Sequence, residues 1–556
     1  MNKNVCSFPI LFALLALLIG TCAVVFPSSA QAAPSANGSI TVNGTVARSY
    51  DAYQIFSANV VDGDSDAKIA TDLAWASDDA RDAALPVLHS AGMPNSQTTA
   101  QEAAEWLNTD SHLTSALSAQ LARSLQSSGA VSVALNAGTT AKLPCGYWLI
   151  VAKDDAIAQG EAGTAPIMAL VGGSAVTVKP KAATPKVAKH VLEDSTAAWQ
   201  KAADATVADD LYWRLSATVP AGLAAYDTYT VRFVDTMGAG LDPSKVAASM
   251  HVYVAAGADG GFDAVSTGKD GRAGTEPAKG WTDITAQCAT KVAADGKTFT
   301  VRTGDLIAAL GGVDAFTAGA RVVAVYNAPL NSACNHGIAK GNPNEVYLRY
   351  PRSPLADQSG DAGFTCTPSD DACAYTWDLA LTKRGSDGDK PLAGAVLSIA
   401  DDRGRTLAAD GAWDADGKAT VTTGEDGRVT VSGVDSGKLE VRELKAPKGY
   451  TAFKGTRSVT VKAEGLDVDQ VAAAKPKLTI TAESPLRADS ADGSTGSLEA
   501  SLINTPTGTP PSITTGGFMP STGDMAMYAA AAAAVAGAAL IVVALLVKRG
   551  GGSHKE

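Results

Sequence analysis

Three polar side chains that together could form an amide bond fall in phase with apolar residues on three predicted strands. On a β-strand, residues two positions apart point to the same face of the sheet. Lys383, Glu443 and Asn504 each end a row of alternate residues that is otherwise apolar. The rows are Tyr375, Trp377, Leu379 and Leu381 before the lysine, Leu439 and Val441 before the glutamate, and Leu498, Ala500 and Leu502 before the asparagine. These three side chains, here called the third-domain set, are therefore predicted to face a core.

The same order of lysine, acid and asparagine occurs once more, earlier in the chain. Lys189, Asp235 and Asn344 form this second-domain set. The rows that share their phase are Pro185, Val187 and Val191 for the lysine, Tyr229, Val231 and Phe233 for the aspartate, and Val346, Leu348 and Tyr350 for the asparagine. Asn342 has the same phase as Asn344 and precedes Pro343, so alternation does not separate these two asparagines.

Burial would give such a set its chemistry. A charged group is costly to bury, so a buried lysine tends to lose its proton and a buried carboxyl tends to keep one. The neutral amine can then attack the side-chain carbonyl of asparagine while the acid polarises that carbonyl and shuttles protons. Ammonia is the leaving group, and an amide between the two side chains is the product.

Each residue taken singly has a simpler explanation. Lys189 and Lys383 lie near the ends of their strands, from which a long side chain can reach solvent. Glu443 could be an ordinary carboxylate on a sheet edge, and an asparagine before Thr-Pro, such as Asn504, is common in turns. The repetition of one ordered set, in phase with apolar rows both times, favours the reactive interpretation.

The strands that would position these side chains predict a mainly β chain of tandem immunoglobulin-like β-sandwiches. Short alternating segments separated by Gly, Asp and Ser are typical of such sandwiches. They fill a second domain at 179–355 and a third domain at 375–506, with a linker at 356–374 between them. The first domain, 33–178, has strand-like segments at both ends, so we expect a sandwich that carries a helical insertion.

The helical insertion is predicted from leucine spacing and from a capping signal. Leu113, Leu117, Leu121 and Leu125 recur at four-residue intervals, which is typical of one buried helical face. In the preceding helix, Thr99 with Glu102 three residues later has the pattern of a capping box.

Motifs around both sets resemble domains of the pilins that sortases assemble on Gram-positive bacteria. The third domain is similar to the collagen-adhesin B-type domain through Thr382-Lys383, Pro391-Leu392-Ala393-Gly394-Ala395, Glu443-Leu444-Lys445-Ala446-Pro447-Lys448-Gly449-Tyr450 and Asn504-Thr505-Pro506. The second is similar to the isopeptide-forming middle domain of fimbrial proteins through Val187-Ala188-Lys189, Phe233-Val234-Asp235, Gly240-Leu241 and Asn342-Pro343-Asn344. The first resembles the N-terminal pilin module through Tyr53-Gln54-Ile55-Phe56 and Gly146-Tyr147-Trp148-Leu149.

This resemblance implies intramolecular Lys–Asn isopeptide bonds. The implied bonds are Lys383–Asn504, formed with Glu443, and Lys189–Asn344, formed with Asp235. Because each bond forms once and does not turn over, the chain is not expected to be an enzyme. No cofactor is implied.

Both ends of the sequence predict export and anchoring. Residues 1–32 have the charged, apolar and small-residue regions of a signal peptide. Residues 524–547 are predicted to be a transmembrane helix: the apolar run 525–547 would span about 35 Å as a helix, enough to cross a bilayer core of about 30 Å. The basic residues in the tail, 548–556, place that tail in the cytoplasm.

The segment 507–523 is predicted to be a spacer that ends in a sorting motif. Met519-Pro520-Ser521-Thr522-Gly523 resembles the Leu-Pro-x-Thr-Gly signal of sortases, with methionine in place of leucine. The resemblance implies cleavage after Thr522 and transfer of its carbonyl to an amine. The expected partners are sortase, other copies of this chain and minor pilins, and the peptidoglycan cross-bridge. The expected location is the cell wall, with membrane contact only through the C-terminal helix before processing.

Polymerisation into a pilus shaft requires an acceptor lysine. The stretch Val176-Thr177-Val178-Lys179-Pro180-Lys181-Ala182 partly fits the shaft signature of the family, which makes Lys181 the candidate and Lys179 the runner-up. A monomeric wall-anchored adhesin that binds host matrix or glycan is the alternative. A hydrolase is disfavoured, because the six histidines have neither triad-like nor metal-like spacing.

Charge and cysteine content limit other functions. The net charge of −12 disfavours nucleic acid as a partner. Outside the cell, disulfides are allowed, so Cys366 and Cys373 are predicted to pair, and Cys288 with Cys334 is plausible. Cys145 is then left over. No CxxC pair or His/Cys cluster predicts a metal site.

Overall fold

The computed structural model describes most of the chain between the two predicted terminal segments. The described residues are 37–44, 49–64, 67–109, 111–180, 184–220, 223–256, 265–267, 273–277, 280–313 and 320–508. The predicted signal peptide (1–32), sorting motif (519–523), membrane helix (524–547), tail (548–556) and acceptor Lys181 all lie outside these residues. Within the described part, no helix is both long and apolar enough to cross a bilayer.

In its described residues, the first domain contains two sheets and an insertion of three α-helices. Its strands are β1 (Asn37–Val42), β2 (Ser49–Asp62), β3 (Lys68–Trp75), β4 (Ser132–Asn136), β5 (Thr140–Pro144), β6 (Gly146–Ala152), β7 (Ile167–Val171) and β8 (Val176–Val178). One sheet has the order β5-β1-β8, and the other has the order β3-β2-β6-β7 with β4 paired to β2. A buried cluster of residues from both sheets, including Ile40 and Ile150, fills the space between them.

The predicted helical insertion lies between β3 and β4. It consists of α1 (Asp78–Ser90), α2 (Ala100–Asn108) and α3 (Ser115–Ser128). The capping box is confirmed: the Thr99 hydroxyl accepts from the backbone N–H of Glu102, whose carboxylate accepts from the backbone N–H of Thr99. Leu117, Leu121 and Leu125 form the buried face of α3, whereas Leu113 lies before the helix and is half-buried.

The second domain is a sandwich of two larger sheets. Its elements are β9 (Val187–Glu193), β10 (Ala198–Gln200), β11 (Ala202–Asp204), β12 (Tyr212–Thr218), β13 (Arg232–Met237), α4 (Val246–Ser249), β14 (His251–Ala255), β15 (Val265–Thr267), β16 (Ala273–Pro277), β17 (Trp281–Asp283), β18 (Ala289–Val292), β19 (Thr298–Arg302), α5 (Leu306–Ala309), β20 (Arg321–Asn327), β21 (Asn342–Pro351), β22 (Phe364–Cys366) and β23 (Asp370–Tyr375). One sheet has the order β10-β9-β12-β20-β14-β17, and the facing sheet has the order β11-β23-β21-β13-β19-β18. Trp213 and Phe233, from opposite sheets, belong to one buried core.

The predicted linker at 356–374 needs correction, because most of its second half is built into the second domain. β22 and β23 both pair with β21, and β23 also pairs in parallel with β11. Their side chains do not follow a simple apolar alternation, which is why the sequence pattern suggested a connecting segment. The first strand of the third domain begins at Trp377, directly after β23 ends at Tyr375.

The third domain also has two facing sheets. Its strands are β24 (Trp377–Gly385), β25 (Val396–Ala400), β26 (Thr406–Leu407), β27 (Trp413–Asp414), β28 (Val421–Thr422), β29 (Arg428–Val434), β30 (Gly437–Lys445), β31 (Tyr450–Thr451), β32 (Thr456–Glu464), β33 (Lys477–Ala482), β34 (Leu486–Asp492) and β35 (Ser497–Pro506). One sheet has the order β29-β24-β35-β31 with β34 on β35, and the other has the order β27-β26-β25-β30-β32-β33 with β28 on β25. The first strand, β24, runs parallel to the last, β35. The chain is thus mainly β, as predicted, with β domains in tandem.

The predicted disulfide between Cys366 and Cys373 is wrong, since both residues are free thiols. Cys366 lies opposite Arg349 of β21, and Cys373 lies opposite Pro343 of the same strand. Six residues along a strand correspond to about 20 Å, and a disulfide needs Cα atoms no more than about 7 Å apart. Cys288 and Cys334 are free as well, and Cys145 is buried as a thiol.

Because these cysteines are not bridged, a reducing agent should leave the stability of the second domain unchanged. We expect the same unfolding temperature with and without dithiothreitol. As a direct check, chain denatured without reductant and then alkylated should yield tryptic peptides in which Cys366 and Cys373 both carry the label. An unlabelled, disulfide-linked pair of these peptides would contradict the register.

Candidate functional site

The second-domain set is assembled from both sheets of its sandwich. Lys189 lies on β9 of one sheet, whereas Asp235 lies on β13 and Asn344 on the neighbouring β21 of the facing sheet. Asp235 is opposite Val346, two residues from Asn344, so both side chains point to the same face. All three residues are 0% exposed. The structure therefore brings together the three side chains that strand phase selected.

A tyrosine that the sequence reasoning missed lies at the centre of this set. The Tyr326 hydroxyl donates to Asp235 Oδ2 at 2.9 Å and accepts from Lys189 Nζ at 2.9 Å and from Asn344 Nδ2 at 2.8 Å. Lys189 Nζ also forms an ion pair with Asp235 Oδ2. Tyr326 is in phase with the buried residues Val322 and Ala324 of β20, a row that could have indicated an inward-facing hydroxyl.

The surroundings of the Lys189 amine are largely apolar. Its Nζ lies 5.5 Å from the centre of the Trp213 ring and 5.4 Å from that of Tyr326. Burial lowers the pKa of Lys189 to about 8, although the neighbouring Asp235 acts in the opposite direction. Burial raises the pKa of Asp235, again against the effect of its partner. Both shifts favour the neutral amine and the protonated acid that amide formation requires.

The structure separates the two candidate asparagines. Asn342 is buried too, but its amide is fully engaged nearby: Nδ2 donates to the Asn335 and Ala374 carbonyls, and Oδ1 accepts from the Asn335 N–H. Asn344 instead directs Nδ2 to Tyr326, and its Oδ1 is buried with no hydrogen-bond partner among the described residues. The geometry favours Asn344 as the residue attacked by Lys189.

A second ion pair fixes the backbone that carries Lys189. Asp370 Oδ2 accepts the backbone N–H of Lys189 at 2.6 Å and pairs with the Lys201 amine. The Lys201 amine donates in turn to the Lys189 carbonyl at 2.9 Å. Side-chain hydrogen bonds therefore hold β9 in position, in addition to its backbone hydrogen bonds to the neighbouring strands.

The third-domain set has a different distribution over the sheets. Lys383 on β24 and Asn504 on β35 lie on neighbouring parallel strands, with Lys383 opposite Leu502. Glu443 lies on β30 of the facing sheet. Lys383 is 0% exposed and Asn504 is 2% exposed, and the Glu443 side chain is fully buried. The structure places all three residues together, as strand phase predicts.

In this set the acid contacts both reacting groups directly. Glu443 Oε1 lies 3.7 Å from Lys383 Nζ and accepts from Asn504 Nδ2 at 2.8 Å. Its second oxygen, Oε2, accepts the backbone N–H of Phe453 at 3.0 Å, which fixes the carboxyl group. Burial lowers the pKa of Lys383 to about 8, with Glu443 acting against the shift. Asn504 Oδ1 is buried without a hydrogen-bond partner in the described part of the chain.

The two sets therefore share one arrangement. In each, a lysine amine of lowered pKa and an asparagine amide contact the same oxygen atom, which belongs to Tyr326 in one set and to Glu443 in the other. Among the described residues neither amide oxygen has a hydrogen-bond partner, so each is available to a donor that would stabilise negative charge during attack. Within the described ranges, no group of His, Cys, Asp and Glu could hold a metal ion.

Comparison with known proteins shows that part of this chain is similar to pilins. Residues 378–475 match the family model described as the SpaA prealbumin-like fold domain. A curated relative, the trypsin-resistant surface T6 protein of Streptococcus pyogenes serotype M6, is 30% identical over 143 residues, which cover 24% of this chain and 24% of that protein. The chain thus aligns with about a quarter of the length of this relative. The two matches support a pilin fold.

Solved pilin structures cover more of the chain at lower similarity. The alignment with the T6 backbone pilin of S. pyogenes covers 86% of this chain and 100% of the pilin chain, with a TM-score of 0.45 and 17% identity. The major pilin SpaD of Corynebacterium diphtheriae has a TM-score of 0.40 at 16% identity, with coverages of 84% and 98%.

If Asn344 is the reacting asparagine, its loss should abolish the second-domain bond and the loss of Asn342 should not. In Asn344→Ala, tryptic mapping by mass spectrometry should recover the Lys189 peptide unlinked, whereas Asn342→Ala should retain a linked peptide that has lost one ammonia. Linkage in Asn344→Ala that disappears in Asn342→Ala would reverse the assignment. The third-domain peptides serve as the internal control.

Asn344→Ala also leaves Lys189 as a buried amine, which should make stability dependent on pH. Since the folded pKa is about 8 and the unfolded value is 10.5, the folded state is penalised below pH 8 and gains stability as the pH rises from 8 towards 10.5. The slope should approach about 1.4 kcal/mol per pH unit. Thermal unfolding measured from about pH 8 to about pH 10, inside that window, gives the slope.

The control for this experiment lacks both buried titratable groups, the Lys189 amine and the Asp235 carboxyl. Lys189→Met with Asp235→Asn cannot form the bond either, so the two chains differ in the buried charges. A parallel pH dependence in both chains would contradict a lysine of lowered pKa in the second domain.

Proposed function

We propose that this chain is the shaft subunit of a sortase-assembled surface pilus, stabilised by an intramolecular isopeptide bond in its second and third domains. The observation that carries the proposal is the pair of buried sets, each with a lysine amine and an asparagine amide on one shared oxygen atom. The family match over 378–475 and the T6 relative add support. A surface location and self-association follow from the same likeness.

The chemistry proceeds from the groups in each set. The neutral lysine Nζ attacks Cγ of the asparagine, and the protonated acid donates to the carbonyl oxygen as negative charge develops there. The tetrahedral intermediate then loses the former amide nitrogen as ammonia, which takes up a proton released by the lysine amine. The acid carries that proton to the departing nitrogen and regains its own from the carbonyl oxygen as the C=O bond re-forms. Asp235 serves the second domain and Glu443 serves the third.

The placement of the bonds suits a protein under tension. In the third domain, the bond would join β24 to β35, the first and last strands. In the second domain, it would join the first strand, β9, to β21 of the facing sheet. A pulling force that enters at one end of either domain would cross the covalent bond instead of separating hydrogen-bonded strands.

Assembly depends on residues outside the described part of the chain. In the proposal, sortase cleaves between Thr522 and Gly523 and transfers the Thr522 carbonyl to Lys181 of another copy. The described residue Lys179 is exposed just after β8 and is the second candidate acceptor. The last copy would be transferred to the peptidoglycan cross-bridge. Minor pilins and a host matrix or glycan ligand remain expectations.

Polymerisation can be tested in a Gram-positive host that carries the matching sortase. Blots of wall extracts should show a ladder of SDS-resistant species, because the subunits are linked covalently. Lys181→Ala should collapse the ladder to monomer, whereas Lys186→Ala, which removes an exposed lysine of the same joint, should not. Loss of the ladder in Lys179→Ala alone would move the acceptor to Lys179.

A wild-type chain that gives no ladder, in cells where sortase processes it, would contradict the shaft proposal. Intact isopeptide bonds in that same chain would then favour the monomeric adhesin.

A further inference from the structure

The Tyr326 hydroxyl has its full complement of hydrogen bonds, and every one of them goes to the second-domain set. A phenol can donate one proton and accept two. Tyr326 donates to Asp235 Oδ2 and accepts from Lys189 Nζ and Asn344 Nδ2. The residue is 0% exposed, so no water competes for these positions. The hydroxyl therefore touches the nucleophile, the acid and the leaving nitrogen at once.

The third-domain set explains why the second needs this hydroxyl. Glu443 Oε1 contacts both Lys383 Nζ and Asn504 Nδ2 without an intermediary. Asp235 has one methylene fewer, and its contacts to the set are to Lys189 and Tyr326 through Oδ2, while Oδ1 has no hydrogen-bond partner in the described residues. The tyrosine oxygen occupies the place between acid and asparagine amide that the longer glutamate reaches by itself.

We propose that Tyr326 is a catalytic residue of bond formation in the second domain, where it relays a proton from Asp235 to the departing nitrogen of Asn344. This inference rests on the proposed isopeptide chemistry. Asp235 first gives its proton to the carbonyl oxygen of Asn344, so its carboxylate can accept a proton from Lys189 at Oδ2 as the Nζ–Cγ bond forms. Tyr326 passes its own proton to Nδ2, the Cγ–Nδ2 bond breaks, and ammonia leaves. Asp235 then passes the lysine proton to the tyrosine oxygen and recovers its own proton from the carbonyl oxygen as the C=O bond re-forms, so both residues end as they began.

The environment of Tyr326 suits a group that donates its proton only within such a relay. Burial and the nearby Asp235 raise the pKa of Tyr326 well above its ordinary value, which keeps the hydroxyl protonated in the resting domain. The Phe299 ring packs edge-on against it with centroids 4.8 Å apart, which fixes the direction of the phenol.

The test is Tyr326→Phe in the full chain, sampled over time after expression by tryptic mapping. Removal of a positioned proton donor should slow formation of the Lys189–Asn344 linkage by a factor on the order of a hundred. The Lys383–Asn504 linkage in the same molecules should form at the wild-type rate. Tyr350→Phe is the matched control, because this buried tyrosine of the same core donates to the Glu161 carbonyl and does not touch the set.

A second variant addresses the case in which Tyr326→Phe disturbs folding of the domain. Asp235→Glu combined with Tyr326→Phe supplies a longer acid, as Glu443 does in the third-domain set, and replaces the tyrosine with a ring that cannot donate a proton. Linkage in the double variant at a rate well above that of Tyr326→Phe supports the relay. A double variant that is folded by circular dichroism and forms no linkage overturns it.

The outcomes also distinguish this inference from the proposed function. Linkage in Tyr326→Phe at the wild-type rate overturns the relay and leaves the isopeptide bond in place. Absence of the Lys189–Asn344 linkage in the wild-type chain overturns the proposed chemistry of the second domain itself.

Discussion

Removal of two lysine amines from water is the constraint on which the rest of this structure depends. Lys189 and Lys383 are both 0% exposed, and each domain must supply partners that make this burial tolerable. The partners are an acid and an asparagine, which a sandwich can bring to the amine only from separate strands. The same desolvation that makes the lysines costly to bury lowers the pKa of each to about 8 and makes them nucleophilic. Stability and reactivity thus have one physical origin.

The two domains meet this constraint with different geometries. In the third, the amine and the amide are on neighbouring strands of one sheet and the acid comes from the other sheet. In the second, the amine comes from one sheet and the acid and amide from the facing one, and a tyrosine from the sheet of the amine completes the set. Similar residue types in one chain order therefore do not dictate one layout.

Much of the candidate site could be predicted from the sequence, because alternation on a strand decides which side chains face inward. Lys383 and Asn344 follow this rule. Tyr326 was missed since an aromatic residue in an apolar row is usually core, and its neighbours in space come from other strands. The disulfide between Cys366 and Cys373 was wrong because closeness along the chain says nothing about register on β21. Helix capping at Thr99 is local, so it could be predicted.

The parallel pairing of β24 with β35 has a topological consequence once Lys383 and Asn504 are joined. The backbone between them then becomes a closed ring that contains nearly all of the domain. Closing a ring of that size restricts the unfolded chain by about 5 kcal/mol in the entropic model used for disulfides. In the proposed pilus, a protease that cuts one loop of this ring would leave both pieces attached to each other, so a single cut would not sever the fibre.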